Sequence, residues 1–141
     1  MSSKILFILH LPPPIHGAAM MGKYIQESEL VNSSFDCFCI NLATAGSLSD
    51  IGHISLKKLL KYFFLLKHIS HVVREIRPEL VYITPNAGGK AFFKDFIVVQ
   101  MLKSMGCKVI AHYHNKGVSV YQSKWVYNFF YKRFFSNLKV I

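Results

Sequence analysis

A single α/β domain built on a doubly wound parallel sheet is the fold class this sequence predicts, and three observations carry it. Five short apolar runs alternate with helix-like segments along the chain. The first run, Lys4 to Leu11, is apolar with hardly a break, the pattern of a strand buried on both faces of a parallel sheet. Breakers punctuate the junctions: Pro12, Pro13, Pro14 and Gly17 follow the first run, and Pro85, Gly88 and Gly89 follow the third.

Each element has its own warrant. After the strand Lys4 to Leu11, the prolines forbid further ladder pairing and a helix runs from Ala18 to about Leu30. Phe35 to Asn41 is a short second strand. Leu42 to Ile54 reads as a loop, and Ser55 can cap the long helix that follows. In that helix Leu56, Leu59, Phe63, Leu66, Ile69, Val73 and Ile76 recur at spacings of three and four and make one apolar stripe, ended by Pro78. Leu80 to Thr84 is the third strand and Pro85 to Gly89 its loop. Lys90 to Met105 is a helix apolar round most of its circumference, so most of it must be covered, and Gly106 terminates it. Lys108 to His114 is the fourth strand, Ser123 to Asn137 an aromatic helix, and Leu138 to Ile141 begins a fifth strand.

Composition bounds the function. The chain has 141 residues, 52% of them hydrophobic, enough for one good core and too apolar for disorder. Seventeen Lys and Arg stand against seven Asp and Glu, and no acidic residue follows Asp95. A surplus of one sign favours anionic partners, although solubility alone accounts for it equally. Cys37, Cys39 and Cys107 are an odd number without metal-ligand spacing and read as buried free thiols of a reducing compartment. No signal peptide is evident and no apolar run approaches the ~20 residues of a spanning helix, so a soluble or peripheral cytoplasmic protein is expected.

In a doubly wound sheet ligands sit beyond the carboxyl ends of the strands. The loops to examine are therefore Pro12 to Gly17, Leu42 to Ile54, Pro85 to Gly89 and His114 to Gln122. Gly17 opens a helix whose first N–H groups are unpaired and attract anions, with His16 beside it. By itself a lone glycine loop reads as a structural turn rather than a ligand site. The first loop lacks the three spaced glycines of a dinucleotide fingerprint, and Gly88-Gly89-Lys90 fails as a Walker loop because Thr84 and Ala91 stand where Gly and a hydroxyl are needed. His112 and His114 share one face of the fourth strand. By pattern alone a strand-end histidine is an ordinary structural group, and no third ligand is suggested for a metal. Lys57, Lys58, Lys61, Lys67 and Arg74 give the long helix a solvated basic face. In the segment Lys124 to Phe135 the aromatics cannot all lie on one stripe. Some must face either a membrane surface, with Lys124, Trp125, Lys132 and Arg133 at headgroup depth, or another domain.

The string Pro-Pro-Pro-Ile-His-Gly-Ala-Ala after the first strand resembles the glycine-bearing loop of the amino-terminal domain of retaining glycosyltransferases of family 4, which have the GT-B fold of two Rossmann-like domains. The resemblance implies that residues 1–141 are the acceptor-side half of an enzyme moving a sugar from a nucleotide sugar to a lipid-linked glycan or similar acceptor in cell-surface polysaccharide synthesis. His16 and Gly17 would then approach the donor diphosphate. His114, with His112 behind it, would lie beside the transferred sugar, and Asn86, Gly88 and Gly89 would shape the acceptor pocket. The donor would be a substrate, with no cofactor and no metal, and the protein would sit at the inner face of the membrane. Two departures stand out: Asn115 follows His114 where an acid or glycine is frequent, and Glu27, Glu29, Glu75 and Glu79 lack the spacing of the family's donor-gripping pair. The carboxy-terminal donor-binding domain is therefore expected to be missing, and this half alone to be inactive. The alternative is a non-enzymatic Rossmann-like module binding nucleotide or nucleic acid through its basic face, although no nucleic-acid motif is recognisable.

Overall fold

The apolar run that opens the chain forms strand β1 (Lys4–Leu9), which has a parallel neighbour on each side. The structure is a computed structural model and describes residues 2–43, 55–114 and 116–141. After β1 come α1 (Gly17–Gln26), α2 (Glu29–Ser34), β2 (Asp36–Asn41), α3 (Leu56–Ile76), β3 (Leu80–Ile83), α4 (Gly89–Ser104), β4 (Val109–Ala111), α5 (Gly117–Tyr121), α6 (Trp125–Phe135) and β5 (Lys139–Val140). The five strands form one sheet in the order β2-β1-β3-β4-β5, every pair parallel. This is the α/β, doubly wound, Rossmann-like architecture expected from the sequence.

Alternation along the strands sends side chains into two cores. Leu6, Ile8, Val81, Ile83, Val109 and Ala111 face the larger one, closed by Ile69 and Val73 of α3, Phe92, Val98, Val99 and Leu102 of α4, and Tyr131 and Phe134 of α6. Ile5, Phe7 and Leu9 face the smaller one, under Ile25 of α1 and Val31 of α2. Helix α4 packs between α3 and α6 and is buried round much of its circumference, as its composition predicts. The Phe92 ring anchors it, lying 4.9 Å from that of Tyr131 and 5.7 Å from that of Phe134. Lys103 Nζ satisfies the carboxyl end of α6 by donating to the carbonyls of Phe134 and Ser136 at 2.6 Å each.

Several local expectations are corrected. The helix foreseen from Ala18 to Leu30 is two helices, because the Ser28 hydroxyl accepts from Val31 N at 3.4 Å and starts a new one, with Glu29 favourable in its first turn. Strand β4 stops at Ala111, so His112 and His114 lie beyond it, and α5 occupies part of the foreseen loop from His114 to Gln122. Ser55 caps α3 as expected, accepting from Lys58 N at 3.3 Å. Only the second half of the α3 stripe is covered: Ile69 and Val73 are buried, whereas Leu56, Leu59 and Phe63 are exposed together with Leu60 and Phe64. The cysteines are free but not buried, Cys39 being exposed and Cys37 and Cys107 half-buried. Residues 44–54 of the expected loop lie outside the described residues.

Candidate functional site

The chain leaves β1 towards β2 through α1 on one face and returns through α3 on the other to place β3 on the far side of β1. The connections therefore diverge between β1 and β3. A crevice at the carboxyl ends of such strands is where open α/β sheets hold ligands. His10 follows β1 directly, Asn86 follows β3, and His112 and His114 follow β4.

These residues meet. Asn86 Nδ2 lies 3.1 Å from His10 Nε2, bridging the ends of β1 and β3. From below, the wholly buried Asp95 of α4 accepts from both the backbone N–H and the side-chain amide of Asn86, at 2.7 and 2.8 Å, on a single oxygen, Oδ2. Burial pushes the Asp95 carboxyl up to about 6, although the Asn86 donors and nearby Lys94 pull the other way. Burial likewise pulls His10 down to about 4, helped by the neighbouring charges of His16, Lys94 and His114. The His10 and His16 rings are 6.1 Å apart, and those of His112 and His114 are 4.4 Å apart. Histidines from three chain segments thus gather at one end of the sheet.

Each residue expected from the sequence has a definite place there. His16 is the N-cap of α1, its Nδ1 accepting from Ala19 N at 3.3 Å, so it orders the helix start that Gly17 opens. A Cβ at Gly17 would meet nothing within 4 Å, which leaves open space over that helix end. His112 is tied to the Tyr82 hydroxyl through Nδ1. His114 is exposed, and partial burial and His112 draw it below the usual imidazole range. Gly88 has a packing reason to be glycine, since a Cβ there would lie 2.1 Å from the Tyr121 ring. Gly89 has the left-handed φ of 68° and donates its N–H to the Tyr127 hydroxyl at 3.0 Å. Of the three residues expected to shape an acceptor pocket, only Asn86 joins the histidines through a hydrogen bond.

Sequence reasoning missed His10, Asp95 and Gly22. The last is buried in α1, where a Cβ would lie 2.1 Å from the His10 carbonyl oxygen. Glycine there lets α1 close on the end of β1. Among the described residues no three His, Cys, Asp or Glu side chains are placed to share a metal ion.

Helix α6 turns Trp125 and Phe129 outward, 82% and 62% exposed. Lys132 and Arg133 are exposed about one turn beyond Phe129, so spacings of four, three and one place all four on one face. Lys124, also exposed, lies over the Tyr121 ring, 5.4 Å from its centre. Among the described residues no helix is long and apolar enough to cross a membrane.

The architecture is that of a doubly wound α/β domain of Rossmann-like type, with polar residues converging at its β1/β3 switch point. Comparison with protein-family models, curated proteins and solved structures finds no match for this chain.

Proposed function

We propose that this chain is the acceptor-side domain of a membrane-peripheral sugar transferase, with the switch point between β1 and β3 meeting the diphosphate of a nucleotide sugar. One observation carries the reading: the ends of β1, β3 and β4 bring His10, Asn86, His112 and His114 together beside the capped but open start of α1. An anion there meets unpaired helix N–H groups and imidazoles that can donate or become cationic. In this reading Gly17 lets phosphate oxygens approach the backbone. His114, the exposed member of its pair, lies nearest the transferred sugar, while His112 is occupied by Tyr82. Asn86 with Gly88 and Gly89 borders the acceptor, a lipid-linked glycan or similar hydroxyl compound, and the donor-gripping half is a second domain. The competing reading, a non-catalytic nucleotide-binding module, predicts the same phosphate contact without sugar transfer.

Titration with uridine and guanosine diphosphate, followed by amide and imidazole resonances, tests the site. The amides of Gly17 to Ala19 and the ring of His114 are expected to shift, and Gly17→Val is expected to abolish those shifts while leaving the melting temperature unchanged, since nothing contacts that position. No response up to about 10 mM nucleotide, beyond the reach of even a weak millimolar site, would remove the proposal.

The membrane part of the reading is supported by the aromatic and basic face of α6. Helix α3 carries a face of the same composition, with Leu56, Leu60, Phe63 and Phe64 exposed and the exposed Lys57, Lys61 and Lys67 among them. Aromatics at headgroup depth with cations beside them suit an anionic bilayer. Trp125 is the sole tryptophan, so its emission reports insertion directly. Flotation with anionic vesicles is expected at low salt, with a blue shift of that emission. Binding should weaken roughly fivefold for each of Lys124, Lys132 and Arg133 replaced by Gln. Absence of binding at low salt would assign the face to a protein neighbour instead.

A further inference from the structure

We propose that Asp95 is a positioning residue for the switch point: by holding Asn86 through its backbone and its side chain, it fixes His10 as the neutral imidazole that carries its proton on Nδ1. The argument is one of donors and acceptors. An ionised carboxylate only accepts, so the Asn86 group facing Asp95 must be the amide NH2, and the reverse orientation would set the amide oxygen against carboxylate oxygen. That NH2 has two hydrogens, and its nitrogen is 2.8 Å from Asp95 Oδ2 and 3.1 Å from His10 Nε2. With one hydrogen spent on the carboxylate, the other faces Nε2, which must accept. A histidine accepting at Nε2 is neutral and protonated at Nδ1.

The backbone bond from Asn86 N to the same carboxylate, at 2.7 Å, prevents the loop from rotating away, so the arrangement is held at two points. The groups facing His10 are His16, Lys94 and His114, and those facing Asp95 besides Asn86 are Lys94, Tyr62 and Tyr113. Burial keeps both tyrosines neutral, so neither supplies a competing anion. The consequence for the site, on the reading that it meets a diphosphate, is a division of labour: His10 offers a neutral donor, and positive charge must come from His16, His114 or Lys94.

Long-range proton–nitrogen spectra of the imidazoles test this without any ligand, so failure of nucleotide binding would leave the result standing, and the converse. Wild-type His10 is expected to show an acceptor-type Nε2 and a protonated Nδ1 near neutral pH. Asp95→Asn removes the charge that orients the amide, and Asn86→Ala removes the amide itself. Both are expected to shift the tautomer ratio towards Nε2–H by roughly fivefold to tenfold, the worth of one net hydrogen bond. Wild-type His10 protonated at Nε2, or cationic, would overturn the proposal directly even if neither variant folds. A His10 signature unchanged in a folded Asn86→Ala protein would do the same.

Discussion

Gly22→Ala is expected to lower the melting temperature by roughly 4–8 °C, the largest effect of a single added methyl group among the described glycines. A Cβ at this position would lie 2.1 Å from the His10 carbonyl oxygen, 3.2 Å from its carbon and 3.3 Å from Leu9 Cβ. Two of the three obstacles are backbone atoms of the segment leaving β1, so no rotamer change relieves the clash. Helix α1 must move off the sheet or β1 must give up its end. Overpacking of this kind costs about 1–3 kcal/mol or more, whereas alanine's advantage over glycine inside a helix returns only about 1. For a chain of this length each kcal/mol corresponds to roughly 2–4 °C. Gly17→Ala is the internal control, because a Cβ there meets nothing and φ is not left-handed. Thermal melts of the two variants decide the matter. A Gly22→Ala protein as stable as wild type would mean that α1 does not rest on His10, and the switch-point geometry would have to be redrawn.

The contrast between Gly17 and Gly22 shows what the sequence could and could not reveal. Gly17 stands after three prolines at a strand-to-helix junction, a local pattern whose meaning does not depend on distant residues. Gly22 reads as a mildly unfavourable residue inside a helix, and its reason appears only when the helix is laid on β1. Asp95 is similar. Its contact with Asn86 joins a helix to the loop before it, and adjacent Lys94 gives it the look of a solvated pair. A signal was nevertheless present, since Phe92, Val99 and Leu102 stand at helical spacing from Asp95, which puts a carboxylate in the middle of an apolar stripe. Strand order followed the same rule: parallel strands and their alternation with helices were legible from apolar runs and breakers. Which histidines would meet was not, because that depends on β1 lying between β2 and β3.

Replacing His10 or Asp95 singly is expected to tilt stability against pH in opposite directions. Burial, aided by His16, Lys94 and His114, takes His10 from 6.5 down to about 4. Between those values the unfolded chain binds a proton that the folded chain refuses, so His10 makes the protein lose stability as pH falls from 6.5 towards 4. Burial takes Asp95 the other way, from 3.8 up to about 6, against the pull of Asn86 and Lys94. Here the folded chain holds the extra proton, so this contribution is present at pH 3.8 and is lost as pH rises through 6. Each window is worth about 3 kcal/mol at the conversion of 1.36 kcal/mol per unit, and in wild type the two nearly cancel. Denaturant unfolding of wild type, His10→Gln and Asp95→Asn at several pH values between 4 and 7 reads the difference, and comparison with wild type removes the surface carboxylates common to all three. His10→Gln should gain stability relative to wild type on acidification, since only the Asp95 proton uptake remains. Asp95→Asn should lose it, because the buried imidazole is then unopposed. Parallel curves for all three proteins would mean that neither group titrates abnormally, and that the polar chain from His10 to Asp95 is open to water rather than sealed beneath the sheet end.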